Sequence, residues 1–138
     1  LSRVVALAGV ALGLSSMGAG AVQAAAGSWV ASLSRQTVAA SETPLRDRPL
    51  DKPEHIEQGR ITTVHWSFAV EGADVPLQAW LCHASLCVAL PAAQGSTPQF
   101  SGHSVTTDLR FRFWYPATQG ASGSASVSRA QVIVDYED

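Results

Sequence analysis

The chain of 138 residues has two cysteines, one methionine and four histidines, and only 14% of its residues are charged. It contains no C-x-x-C pair, so the usual redox-active dithiol arrangement is missing. A zinc site needs about four ligands. Cys82, His83 and Cys87 supply three at most, and His55, His65 and His103 are scattered. No metal or other cofactor is expected. Basic excess is absent too. Setting aside Arg3, 8 basic residues face 11 acidic ones, which argues against nucleic acid and against an anionic membrane surface as partners. No G-x-S-x-G elbow precedes a helix; the nearest match, Gly120-Ala121-Ser122-Gly123, lies in a low-complexity stretch. No catalytic residue is assigned. The paired carboxylates at Glu54 and Glu57 and at Glu137 and Asp138 read as solvated surface.

Long hydrophobic runs are also missing. The longest, Val4 to Leu14, is about 11 residues against the ~20 that span a bilayer. It follows Arg3 and precedes small residues ending in Ala21-Val22-Gln23-Ala24-Ala25-Ala26. This is the order of a secretory signal, with cleavage expected after Ala24 or Ala26 and no stable membrane anchor afterwards. Residues 1–26 are therefore expected to be a signal peptide and 27–138 a single domain in an oxidising compartment.

What is present is strand-like. The region after residue 26 has no long stretch with helical apolar spacing. Arg60 to Val70 alternates, with Thr62, Val64, Trp66, Phe68 and Val70 on the face expected to be buried and Ile61, Thr63, His65, Ser67 and Ala69 opposite. Leu109, Phe111, Phe113 and Tyr115 alternate with Arg110, Arg112 and Trp114, and Gln131 to Tyr136 forms a β-branched run. Weaker strands are expected over Trp29–Leu33, Gln36–Ala40, Leu77–His83 and Leu86–Leu90. Residues 41–59, 91–98 and 116–128 read as breakers, the last as a mobile loop by composition. About seven short strands imply an all-β fold: an antiparallel, immunoglobulin-like β-sandwich, with a small open barrel as the alternative.

Cys82 and Cys87 flank His83-Ala84-Ser85-Leu86, a connection short enough for a hairpin. In an oxidising compartment a structural disulfide is the expected state. His83 is placed at the hairpin tip, as an exposed loop residue or a partner contact. On a strand, Arg110, Arg112 and Trp114 share one face, and these residue types are enriched at interface hot spots. They could equally form a plain Arg–Trp surface ladder, and a glycan could stack on the same face.

The order Trp80-Leu81-Cys82-x4-Cys87-Val88-x-Leu90 resembles the periplasmic flagellar protein FlhE family. So do Gly95-x-Thr97-x-x-Phe100-x-Gly102 and the ending Gln131-Val132-Ile133-Val134-Asp135-Tyr136, where the family commonly has Asn in place of Asp135. Weaker likenesses are Trp29, Ser41-x-x-Pro44-Leu45 and Trp66. The resemblance implies a noncatalytic, exported, β-sandwich accessory of the flagellar system. Its implied partners are flagellar export or rod and basal-body proteins. Its implied roles are support of swarming and assembly, a chaperone-like action, and limitation of proton leakage through the type III export apparatus. The alternative is a secreted binding module for an envelope glycan or protein.

Overall fold

The computed structural model describes residues 26–44 and 47–138. Apart from Ala26, the expected signal peptide lies outside the described residues, as does Leu45. The described residues form nine strands: β1 (Ala26–Leu33), β2 (Gln36–Ser41), β3 (Arg48–Pro49), β4 (Arg60–Glu71), β5 (Gln78–His83), β6 (Leu86–Ala89), β7 (Gln94–Thr97), β8 (Leu109–Pro116) and β9 (Ser124–Glu137). The one helical element among them is a 3₁₀ turn, Ala117–Gln119. The fold is all-β, as expected.

The strands form one path, β6-β5-β8-β2-β9-β4-β7, with β1 attached to β9 and β3 to β8. All pairings are antiparallel except β2–β8, a two-residue parallel contact at Ala40–Tyr115 and Ser41–Pro116. That short contact is where one wing, β6-β5-β8, turns over the other, β9-β4-β7. The result is a strongly curled open sheet, a half-barrel, so the open-barrel form is the one adopted. Phe68 of β4 crosses the interior and meets Phe111 and Phe113 of β8 edge-on, with ring centroids 6.2 and 5.6 Å away.

A fold line crosses the second wing. β1 and β2 lie end to end along one edge of β9, broken at Ser34 and Arg35. Opposite the break, Arg129 of β9 has φ +54°, and the β4–β9 register shifts between Ser67 and Ala69. Bulges of this kind bend strands and increase their twist.

The alternation of β8 is as expected: Leu109, Phe111, Phe113 and Tyr115 are all buried. In β4 the expectation needs one correction. A second register shift, between Ile61 and Thr63, turns Ile61 inward and leaves Thr62 half-buried, while Val64 and Trp66 stay in the core. Three breakers also contain strands. Residues 124–128 extend β9 to 14 residues instead of forming a loop; Ala125 and Val127 face inward between serines. Residues 94–97 form β7, whose Gly95 lies opposite Trp66 so closely that a Cβ there would come within 2.7 Å of the indole. The glycine makes room for the ring, and Trp66 Nε1 donates to Ala92 O at 2.9 Å. Residues 48–49 form β3, and the adjoining Leu50 is fully buried.

Candidate functional site

Cys82 and Cys87 are directly opposed in the β5–β6 hairpin and form a disulfide, with Cα atoms 4.0 Å apart. The strands turn through Ala84 and Ser85, and Ala84 takes the left-handed φ of +52° that tight hairpins use. Arg110, on the neighbouring β8, donates from Nη2 to Ala84 O at 2.7 Å, so the hairpin tip is held by a side chain as well as by sulfur.

His83 departs from expectation. It is 4% exposed, not an exposed tip residue, because its strand pairs with Leu109 of β8 on one side and Leu86 on the other. Its ring lies 5.1 Å from that of His103. A carbonyl can only accept, so Nε2 carries the proton donated to Ser104 O at 2.8 Å. Nδ1 has no partner among the described residues.

Arg110, Arg112 and Trp114 do share a face of β8, and all three are half-buried. What covers them are the described residues Ser41–Pro44 and Asp47–Leu50. Arg110 Nε donates to Asp47 Oδ2 at 2.8 Å and Arg112 Nε to Asp47 Oδ1 at 2.6 Å, so one carboxylate holds two guanidinium groups. Trp114 Nε1 donates to Ser41 O at 2.9 Å. At the far end Leu50 N donates to Leu109 O at 2.8 Å, and Arg48 Nε donates to Gln36 Oε1 at 2.9 Å. The segment is thus a strap, tied at both ends to β8. Its described outer residues, Glu42, Thr43 and Pro44, are exposed.

The two arginines lower the carboxyl of Asp47 below its ordinary value. The Arg112 hydrogen bond has the largest effect, partial burial opposes it, and Arg110 adds to it. Sequence spacing gave no hint of Asp47. Nothing in the local pattern links residue 47 to residues 110 and 112; only the β3–β8 pairing brings them together.

A second polar cluster lies on the outer face of the other wing. Ser28 Oγ donates to Asp135 Oδ1 at 2.5 Å, and His65 Nε2 donates to Asp135 Oδ2 at 2.9 Å. The Ser28 hydrogen bond, then that of His65, lowers the Asp135 carboxyl. The residue types are those of a hydrolase triad, but the order is wrong. The carboxylate sits between serine and histidine, so the imidazole cannot take the serine proton. His65 itself is half-exposed, on the β4 face opposite Trp66. Among the described residues no group of three or more His, Cys, Asp or Glu is placed to hold a metal ion. No helix among them is long and apolar enough to cross a membrane.

The family model described as flagellar protein FlhE matches residues 32–137, a span that contains the strap, the hairpin and all of β4 to β9. A solved crystal structure of FLHE is similar, at 28% identity and a TM-score of 0.69 over 82% of this chain and 98% of that one. No curated protein matches significantly.

Proposed function

Because the chain belongs to the flagellar protein FlhE family, we propose that it is an exported, noncatalytic accessory of the flagellar system that works in the periplasm by protein–protein contact. In this reading it supports assembly and swarming and limits proton leakage through the type III export apparatus. Its partners are export-gate or rod and basal-body proteins. The family match over residues 32–137 carries the proposal. The Cys82–Cys87 disulfide agrees with an oxidising compartment.

The strap face is the proposed contact surface. Arg110, Arg112 and Trp114 are positioning residues that seat the strap, and the exposed Glu42, Thr43 and Pro44 meet the partner. This places the two arginines behind the contact, because both guanidinium groups are already held by the Asp47 carboxylate. The same fact counts against a glycan stacking on this face.

The test is genetic. Deleting the coding gene should impair swarming and reduce the number of complete flagella, and a plasmid copy with its export signal should restore both. Normal swarming and normal flagella in the deletion strain would contradict the proposal.

A further inference from the structure

β1 is an edge without the usual protection. The strand path ends at β6 and β7, each four residues long, and short edge strands resist pairing with other chains. Among the described residues β1, eight residues long, pairs only with β9, and it reads Ala-Gly-Ser-Trp-Val-Ala-Ser-Leu. It has no charge and no proline, the two devices that most often blunt an edge. Its inner face is filled by Trp29 and Ala31, both buried. Its outer face presents Ser28, Val30 and Ser32. Val30, at 53% exposure, is the only large hydrophobic residue exposed among the described residues.

We propose that β1 pairs with β1 of a second copy of this chain, antiparallel and about a two-fold axis at Val30. That register sets Val30 against the partner's Val30, Ser28 against the partner's Ser32, Trp29 against the partner's Ala31, and Gly27 against the partner's Leu33. Self-pairing across a two-fold axis brings identical residues near one another, so any charge near the centre would repel its copy. β1 has none. The axis covers the one exposed large hydrophobic side chain, and large residues of the inner face meet small ones. Asp135 of the two copies would be separated by both β1 strands. At about 4.8 Å per strand that is beyond a physiological Debye length of about 8 Å, so their repulsion is screened. The pairing uses both edges and closes, so it stops at a dimer and does not grow into a filament.

One strand pair buries less than a standard interface, so the dimer is weak and appears as concentration rises. The proposal is independent of the flagellar role. Sedimentation of the exported protein from micromolar to millimolar concentration should show a monomer passing into a dimer. Val30→Lys places two ammonium groups on the axis and removes the apolar contact; it should weaken the dimer at least about tenfold. Its thermal midpoint should match the wild type, because the side chain already faces solvent. If that variant folds poorly, Val30→Ser removes only the apolar contact and should weaken the dimer in the same direction. Amide exchange within residues 27–33 should slow in the dimer. A wild-type protein that stays monomeric at millimolar concentration would overturn the proposal. So would a folded Val30 variant that dimerises as well as the wild type.

Discussion

Replacing Asp47 by alanine should loosen the strap without unfolding the half-barrel. The substitution removes two charge-assisted hydrogen bonds, at 2.8 and 2.6 Å. Fully desolvated, each such bond is worth roughly 1.5–3 kcal/mol. These are only partly desolvated: the side chain of Asp47 is 23% exposed, and those of Arg110 and Arg112 are 26% and 34% exposed. Solvent screening reduces their combined worth to about 1–2 kcal/mol. For a domain of this size that corresponds to a fall of roughly 4–8 °C in thermal midpoint at neutral pH. The pH dependence follows from the direction of the shift. The folded-state carboxyl of Asp47 titrates below the ordinary 3.8, so its stabilisation is complete above that value and is lost as pH falls through the folded pKa. The wild type and Asp47→Ala should therefore differ at pH 7 and converge in strong acid. Thermal or urea unfolding across that range provides the assay. Equal midpoints at pH 7, or a gap that persists unchanged in strong acid, would refute the latch.

Two other substitutions probe how the strap and hairpin are held. Leu50→Ala should cost about 2–5 kcal/mol, measured by urea unfolding, because Leu50 is fully buried although it sits in a proline-rich connector. Cys82→Ser with Cys87→Ser should cost about 2 kcal/mol, since the disulfide closes a loop with a sequence separation of only 5. The protein should still fold, and a failure to fold would show that the bond holds more than the hairpin.

Much of this fold can be read from alternation. β8 places bulky aromatics at every second position, and the structure buries each of them. β9 shows why the reading stops where it does. Its first half alternates as strictly as its second, but with Ala125 and Val127 set among serines, so glycine and serine content hid a strand that lies against β2 and β4. Small side chains in a central strand signal close packing as readily as they signal mobility. At β7 the glycine that looked like a breaker exists to receive the Trp66 ring. The inward turn of Ile61 depends on a register shift that no single strand encodes.

The candidate site was legible only in part. The disulfide and the shared face of Arg110, Arg112 and Trp114 follow from local spacing. What that face touches does not, because Asp47 reaches it from 63 residues away in sequence. His83 was misplaced for a related reason. A tight hairpin suggests exposure, but the turn here is confined to Ala84 and Ser85, and β8 and the Ser104 carbonyl enclose the histidine next to it.

Cytoplasmic pH under an external acid load tests the central claim most directly. In a strain lacking the gene, with flagellar export genes intact, the cytoplasm should acidify faster than in the parent, and a complementing copy should restore the parental rate. Identical acidification in the two strains would contradict a role at the export apparatus.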